Sequence, residues 1–421
     1  MTSRTDAKTD LFLPDLAQAR LAIEQAGSPV YLSDVATVLE RLQRMRRDFP
    51  ENTKIFYAMK ANYNPDLLKA LLAAGLDGVD TVSPHEIRMA LLCGFRKEQI
   101  IFTGNYSGRE ELAQVLELGV LCNIGSLMEL ELLGQLKEGG SVAVRLKPSV
   151  GAGEFKGTIT GGEDSKFGIS LQDLPEVQTI LQHHRLQLVG LHCHIGSGFY
   201  QTTEFETAVR SILHVAKGFV PLQFIDCGGG FGARYHSGKE GLDLSSFAKA
   251  ITPALEEFRH DNRTNPELRL EPGKFLVAES TVLLCRVTTI NLGESCIFVG
   301  TDTGFNHLIR PAFYGAYHHA VNLSGEAEGR KRQTVKIVGN ICESSDIMVE
   351  KVEIAEAKSG DIIALQTAGA YGASMHSLYN LRSAPGEALV MTDGSLVVSR
   401  KRETQQQGFD RLLRALNYRT L

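Results

Sequence analysis

The chain has 421 residues, of which 43% are hydrophobic and 22% are charged, and its formal net charge is -5. This length exceeds that of one ordinary domain and predicts a large domain plus a smaller one. The composition is that of a soluble globular protein, and the slightly acidic balance offers no basic face for nucleic acid.

The chain carries no signal for a membrane or for export. No apolar run approaches the ~20 residues that span a bilayer. The stretch Met1–Asp10 is polar and lacks the apolar core of a signal peptide. Seven cysteines without CxxC pairs favour reduced thiols over disulfides or a zinc site. We therefore expect a cytoplasmic protein that does not bind a membrane.

From about residue 54 to residue 273, short apolar runs alternate with segments of helical periodicity. The apolar runs predict eight strands, namely Lys54–Lys60, Gly78–Ser83, Gln99–Gly104, Leu121–Ser126, Val142–Pro148, Leu188–Ile195, Phe224–Gly230 and Leu268–Gly273. The intervening segments predict helices, among them Pro65–Ala74, Pro84–Cys93, Arg109–Leu118, Phe205–Lys217 and Leu244–His260. Eight such repeats predict a closed (β/α)8 TIM-like barrel. An open doubly wound sheet is the alternative, but no GxGxxG follows the first strand.

After residue 280 the pattern changes to strands separated by turns, which predicts a C-terminal mostly-β domain. The predicted strands there are Val282–Leu292, Cys296–Thr301, Thr334–Val338, Asp361–Gln366 and Ala388–Met391. The early stretch Pro29–Ser33 is also strand-like and is expected to join them. We therefore predict an α/β protein with a barrel at 45–285, and a β-rich domain formed by 20–44 with 286–421.

Polar residues and glycines stand at the ends of the predicted strands, where a barrel places its active site. Lys60 ends the first strand, and partial desolvation would favour its neutral, nucleophilic amine; a solvated strand-end lysine is the alternative. Gly228, Gly229 and Gly230 could present backbone N–H groups to a phosphate, although such runs also form plain turns. Glu271 could pair with a protonated pyridine nitrogen, or with a neighbouring lysine or arginine.

Two histidines end the sixth strand. His192 and His194 share one face of that strand, a spacing that could suggest a metal pair. No third ligand with fitting spacing is evident, so we expect no metal. The preferred interpretation has His194 stacked on a planar cofactor and His192 as a core residue.

Seven motifs occur in order between Tyr57 and Met375: YAMKAN, GLHCHIGSG, CGGGFG, EPGK, NHLIRPAFYGAYH, CESSD and GAYGASM. Together they closely resemble the fold-type III decarboxylases that depend on pyridoxal phosphate (PLP), and within these the diaminopimelate decarboxylases. The resemblance implies a PLP-binding barrel and a β domain that completes the active site. It also implies a homodimer whose active sites are shared across the interface.

The resemblance implies a role for each cofactor residue. Lys60 would bind PLP covalently, His194 would stack on its ring, and Glu271 would pair with the ring nitrogen. Asp80 would support this arrangement from nearby. The phosphate would be held by neutral donors, namely Ser197, Gly228, Gly229, Gly230 and Tyr371.

Substrate residues follow from the same resemblance. Arg310 and Tyr314 would bind the substrate carboxylate that is remote from the reaction, and Lys274 would help them. Glu343 would bind the remote ammonium. Tyr371 would contact both substrate and cofactor. Cys342 of the partner chain would give a proton to the reacting carbon, although a small buried residue is the alternative there.

Three positions depart from the family pattern. Lys274 replaces a usual arginine, Asn340 a usual proline and Leu378 a usual asparagine. Lysine keeps the charge but loses the bidentate fork, so the identity of the substrate stays open. We expect decarboxylation of meso-2,6-diaminopimelate to L-lysine. The alternatives are decarboxylation of D-lysine, D-ornithine or a biosynthetic intermediate, and a non-catalytic homologue; the CESSD motif disfavours a racemase.

Overall fold

The computed structural model describes residues 11–162, 165–236 and 241–417. The chain divides into two compact units. The β unit comprises the described residues within Met1–Thr37, Arg234–Gly241 and Val277–Leu421, and the barrel unit those within Val38–Ala233 and Leu242–Leu276. None of the described helices combines the length and the apolarity needed to cross a bilayer.

Strands occur throughout the described chain. In chain order they are β1 (Val30–Asp34), β2 (Thr53–Ala58), β3 (Gly78–Thr81), β4 (Ile100–Phe102), β5 (Leu121–Ile124), β6 (Ser141–Lys147), β7 (Ile169–Ser170), β8 (Gln187–Cys193), β9 (Phe224–Asp226), β10 (Glu267–Leu270), β11 (Thr281–Leu292), β12 (Ile297–Thr301), β13 (Ala320–Asn322), β14 (Arg332–Val338), β15 (Ile347–Ala355), β16 (Ile362–Leu365), β17 (Gly386–Val390) and β18 (Leu396–Arg400).

The α-helices are α1 (Leu16–Ala26), α2 (Val35–Asp48), α3 (Pro65–Ala73), α4 (Pro84–Leu92), α5 (Arg109–Leu118), α6 (Leu127–Leu136), α7 (Leu174–His183), α8 (Thr203–Ala216), α9 (Leu244–Asn262), α10 (Lys274–Val277), α11 (Arg310–Tyr314), α12 (Leu323–Ala327) and α13 (Gln405–Ala415). Short 3-10 helices occur at Met59–Ala61, Lys97–Gln99, Lys156–Thr158, Leu171–Asp173, Ala373–Met375 and Tyr379–Leu381.

The barrel unit contains a parallel sheet that closes on itself. Strands β2 to β6 pair in sequence, β8 follows β6, β9 lies between β8 and β10, and β10 returns to β2 with Leu268 opposite Thr53. The predicted closed barrel and its eight strands are therefore confirmed. The five predicted helices appear as α3, α4, α5, α8 and α9. The short strand β7, which pairs with β6, was not predicted.

Four phenylalanines hold the loops that follow β8 and β9. Phe199 and Phe231 lie in these loops, Phe205 is on α8, and Phe247 is on α9. Their ring centroids lie between 5.5 and 5.9 Å apart, within the range of favourable aromatic pairs. All four side chains are buried. This packing fixes the two loops that carry the HCHIGSG and CGGGFG motifs.

The β unit is built on a sheet with the order β15-β14-β12-β11-β1-β17-β18, and β16 pairs with β11 and β13. Strand β1 is antiparallel to β11 and parallel to β17. The predicted strand at Pro29–Ser33 therefore joins this sheet. The five predicted C-terminal strands appear as β11, β12, β14, β16 and β17, whereas β13, β15 and β18 were not predicted.

Both faces of this sheet are buried around β1 and β11. Tyr31 and Leu283 belong to one hydrophobic cluster, whereas Leu32 and Leu284 belong to the other. Side chains alternate between the two faces of a strand, so burial on both sides requires the continuous apolar runs seen in the sequence. Helix α1 contributes Ala22 to the second cluster.

Candidate functional site

An ion pair stands at the mouth of the barrel. Lys60 follows β2, its side chain is 36% exposed, and its Nζ donates a hydrogen bond to Asp80 Oδ2. Asp80 lies on β3 and is fully buried. Burial and the charge of Glu271 raise the pKa of Asp80, and Lys60 opposes this rise. The two side chains that the sequence placed near a cofactor are therefore in direct contact.

Glu271 follows β10 inside the barrel and is 4% exposed. Its Oε2 lies 3.1 Å from His192 Nε2, so its partner is a histidine and not the lysine or arginine that the sequence allowed. Burial raises the pKa of Glu271, but His192 and Lys60 outweigh burial and lower it to about 2. Among the described residues, Glu271 Oε1 has no hydrogen-bond partner. The carboxylate is thus ionised, and its Oε1 can accept a hydrogen bond from an incoming N–H or O–H group.

His194 follows β8 in the loop that continues to Ser197. Its Nδ1 accepts a hydrogen bond of 3.1 Å from the backbone N–H of Gly229. Burial, followed by the charges of Arg145 and Lys60, keeps the pKa of His194 well below its usual value. The ring is therefore neutral at physiological pH, with its proton on Nε2. A neutral ring can stack on a cationic aromatic ring without charge repulsion.

The three glycines after β9 pack closely against neighbouring loops. A Cβ atom on Gly229 would lie 1.9 Å from the carbonyl oxygen of Glu271, and a Cβ atom on Gly230 would lie 2.1 Å from the carbonyl oxygen of Gly196. Gly228 and Gly230 also adopt positive φ angles. The N–H of Gly228 donates to Asp226 and that of Gly229 to His194. Two of the three N–H groups thus already donate hydrogen bonds within the protein, so fewer than the expected three remain to bind an anion.

The structure adds two ionisable groups that were not predicted from the sequence. Asp226 is fully buried, and burial together with Glu271 raises its pKa well above the usual value. Arg145 is 5% exposed, and its guanidinium lies 4.8 Å from the centre of the Phe167 ring. Asp226 is the single charge in FIDC and Arg145 the single charge in VAVRL, and a charge within an apolar strand was the available signal.

A possible metal-binding group differs from the pair considered in the sequence. His192, Asp226 and Glu271 each place one potential ligand atom within 4.8 Å of the others, whereas His194 is not among them. One Asp226 oxygen already accepts a hydrogen bond from the N–H of Gly228. His192 Nε2 and Glu271 Oε2 are already hydrogen-bonded to each other.

Lys274 begins α10 and is 4% exposed. Its Nζ donates to Glu154 Oε2 at 2.8 Å. The residue that departs from the family pattern is thus engaged by a carboxylate of its own chain. Nothing in the local sequence pointed to this partner.

In the β unit, Arg310 begins α11 and Tyr314 ends it. Arg310 is 2% exposed, its guanidinium carbon lies 4.9 Å from the centre of the Tyr235 ring, and it donates to the Tyr235 hydroxyl. Tyr314 is half-buried. Stacking and hydrogen bonding hold the guanidinium fork in one orientation, as recognition of a carboxylate requires.

The CESSD motif forms an exposed turn of the β unit. Cys342 is exposed, so the alternative of a small buried residue is wrong within this chain. Its N–H donates to Asn380 Oδ1 at 3.0 Å, and the carboxylate of Glu343 accepts from the Tyr379 hydroxyl at 2.6 Å. Asp346 closes the turn by accepting backbone N–H bonds. The Cys342 thiol is therefore presented at the surface.

Tyr371 lies in the loop after β16 and has a φ of 56°, in the left-handed region that few tyrosines adopt. Such a conformation costs about 1–3 kcal/mol and persists where surrounding structure enforces it. Gly369 is part of that structure, because a Cβ atom there would lie 1.8 Å from the carbonyl oxygen of Val277. The ring of Tyr371 is thus positioned by a constrained loop.

Comparisons with known proteins agree with this geometry. A family model described as pyridoxal-dependent decarboxylase, pyridoxal binding domain, matches residues 35–278. The diaminopimelate decarboxylase of Methanothermobacter thermautotrophicus is 38% identical over 405 residues, covering 94% of this chain and 92% of the relative. That of Escherichia coli K12 is 36% identical over 397 residues, covering 90% and 93%.

Solved structures are similar over nearly the whole chain. A crystal structure of diaminopimelate decarboxylase has a TM-score of 0.89 and 34% identity, covering 98% of both chains. A Helicobacter pylori diaminopimelate decarboxylase complexed with L-lysine has a TM-score of 0.86 and 29% identity, covering 94% of this chain and 99% of that one. The chain therefore belongs to the pyridoxal-dependent decarboxylase family.

Proposed function

We propose that this protein is a PLP-dependent carboxy-lyase that converts meso-2,6-diaminopimelate to L-lysine and CO2. Its relatives over most of the chain carry the name diaminopimelate decarboxylase. The observation that carries the proposal is the set of side chains at the barrel mouth, where the half-buried Lys60 and His194 accompany the buried carboxylates of Asp80 and Glu271. A non-catalytic homologue has no use for two buried carboxylates, whose burial is costly.

The residues in the barrel fit PLP. Lys60 supplies the amine, and Glu271 Oε1 is a buried acceptor without a partner among the described residues, as a protonated pyridine nitrogen needs. The phosphate would be bound by the N–H of Gly230, by Ser197 and by Tyr371, which are neutral donors. An acidic protein can hold an anionic cofactor in this way without a basic patch.

PLP, when bound, supplies the sink for the electron pair that remains after CO2 departs. Lys60 would anchor the cofactor, and Asp80 would hold its ammonium in place beforehand. Glu271 would keep a proton on the ring nitrogen because its own pKa is low. His194, which is neutral, would cover the ring and exclude water. Cys342 would deliver a proton to the reacting carbon from its exposed position.

The β unit would recognise the end of the substrate remote from the reaction. Arg310 would bind the remote carboxylate in two hydrogen bonds, with Tyr314 beside it. Lys274 of the barrel unit would add a second positive charge. Glu343 would bind the remote ammonium, and Tyr371 would contact the substrate as well as the phosphate.

We also propose a homodimer in which Cys342 and Glu343 serve the partner's site. Exposed apolar side chains accompany the CESSD turn, with Tyr379 43% exposed and Leu381 72% exposed. Clusters of this kind mark protein interfaces. A cytoplasmic location fits the cysteines, five of which are buried as thiols.

A second candidate function is decarboxylation of a diamino acid without the remote carboxylate, such as D-lysine or D-ornithine. The ion pair between Lys274 and Glu154 favours it, because Glu154 already neutralises the Lys274 ammonium that would otherwise bind a remote carboxylate. The exposed Leu378, in place of the family asparagine, points the same way. Arg310 favours the dicarboxylic substrate, and we therefore prefer the first function.

The test is CO2 release from meso-diaminopimelate, D-lysine and D-ornithine by the PLP-loaded protein, with Lys60→Ala as control. We expect the highest kcat/KM with diaminopimelate. Activity on D-lysine with none on diaminopimelate would establish the second function instead. A protein that shows no absorbance of lysine-bound PLP, even after PLP is added, would be a non-catalytic homologue.

A further inference from the structure

The buried Lys274 amine is paired with a residue from a distant loop. Its side chain is 3% exposed, and its ammonium contacts the carboxylate of Glu154, which is itself 20% exposed. A buried ammonium requires a negative partner, since leaving it unpaired in the interior is costly. Any carboxylate that reaches Lys274 must therefore replace Glu154 or share the amine with it.

The backbone around Glu154 is fixed independently of this ion pair. Ala152 N–H donates to the carbonyl of Ile195 at 3.1 Å, and Glu154 N–H donates to that of Ser197 at 2.9 Å. Thr158 accepts the N–H of Ser197 in return, at 2.9 Å. The loop after β6 is thus held against the loop after β8 by main-chain bonds. Rotation of the Glu154 side chain would therefore break its bond to Lys274 without moving this backbone.

Close packing leaves little room for both carboxylates at once. A Cβ atom on Gly198 would lie 2.6 Å from Glu154 Cβ and 3.0 Å from Lys274 Nζ. Gly198 also has a positive φ of 84°, so that a larger residue is excluded there by conformation as well as by space. An incoming carboxylate is therefore expected to exchange with Glu154 and not to join it.

From these contacts we infer that Glu154 is a specificity-determining residue: an internal carboxylate that competes with the remote carboxylate of the substrate for Lys274. The inference rests on the proposed function, in which Lys274 binds the remote end of the substrate. A dicarboxylic substrate gains the Lys274 bond only by breaking the bond to Glu154. A substrate without that carboxylate leaves the pair intact and incurs no such loss.

The experiment measures binding without turnover. Pimelate is a dicarboxylate without amino groups, so it cannot react with PLP. The PLP-loaded wild type and Glu154→Gln would be titrated with pimelate by calorimetry at constant ionic strength. Glutamine keeps the length of Glu154, and its amide oxygen still accepts from the ammonium, so folding is retained; thermal melting verifies this. We expect Glu154→Gln to bind pimelate at least about tenfold more tightly, because a charged competitor has been removed.

Two further variants control the result. Glu138→Gln removes a carboxylate from the exposed pair with Arg185 in the same unit, and pimelate affinity should stay within twofold of wild type. In a Lys274→Met background, Glu154→Gln should give no gain in affinity. Unchanged pimelate affinity in Glu154→Gln, or an equal gain without Lys274, would overturn the inference.

Turnover separates this inference from the proposed function. Glu154→Gln should lower KM for diaminopimelate with kcat near wild type, and leave KM for D-lysine unchanged. If no substrate releases CO2 but Glu154→Gln still tightens pimelate binding, the proposed function fails and the competition at Lys274 stands. If diaminopimelate is decarboxylated and pimelate affinity does not respond, the competition fails and the function stands.

Discussion

Replacing Gly229 by alanine tests whether close packing between the loops after β9 and β10 builds the site. The added Cβ would lie 1.9 Å from the carbonyl oxygen of Glu271, whereas a carbon and an oxygen normally approach to about 3.3 Å. The loops must therefore separate by more than an ångström. Gly229 is not in the left-handed region, so the perturbation is steric and falls on the backbone of Glu271 and Pro272.

We expect the Gly229→Ala substitution to lower the free energy of unfolding by about 3 kcal/mol, the upper part of the range for overpacking. The same displacement moves the carboxylate of Glu271 and breaks the hydrogen bond from Gly229 to His194. Misplacement by an ångström costs about 100-fold in rate, so kcat/KM should fall by about that factor.

The assay combines thermal melting, PLP absorbance and CO2 release. Gly218→Ala is the matched control, because an alanine Cβ at this exposed position meets only one atom, at an ordinary 3.5 Å. It should leave all three measurements unchanged. If Gly229→Ala melts with the wild type and keeps kcat/KM within twofold, the loops do not constrain the site as described.

Three other substitutions test individual groups. Lys60→Ala should abolish the absorbance of lysine-bound PLP and lower CO2 release at least about 1,000-fold, and turnover that survives would contradict its assignment. Burial and Glu271 raise the pKa of Asp226 above its unfolded value of 3.8, so the folded state holds the carboxyl proton more tightly than the unfolded state does. The folded state therefore loses stability as the pH rises from 3.8 toward the folded pKa. Asp226→Asn should remove that loss and melt at or above the wild type at about pH 8; a lower melting temperature would mean that the ionised form is required. Arg310→Lys should raise KM for diaminopimelate about tenfold or more with little change for D-lysine, because the fork held on Tyr235 is lost, and equal effects on both substrates would refute a role in carboxylate recognition.

The barrel could be predicted from the sequence because each of its strands is a local apolar run followed by helix signals. The predicted ends were less accurate. Phe224–Gly230 was expected as one strand, but β9 stops at Asp226 because Gly228 and Gly230 adopt positive φ angles. In the β unit, β18 was missed because it is half-buried along its whole length and shows no apolar alternation.

Contacts between residues far apart in the chain could not be predicted from the sequence. Strand ends pointed to Lys60, Asp80, His194 and Glu271 individually, because a barrel gathers them at one end. The bond from His192 to Glu271 joins residues 79 positions apart, and that from Lys274 to Glu154 joins residues 120 apart. Such pairs depend on strand register and loop packing, which no local pattern encodes.

The position of β1 affects the order in which the chain can fold during synthesis. Val30 pairs with Leu284 on one side and with Gly386 on the other, whereas every barrel strand is complete by Leu270. On the ribosome, this early strand therefore waits for partners that emerge long after the barrel has been made. A truncation that removes β1 would leave the edges of β11 and β17 open to pairing with other chains, and would favour aggregation.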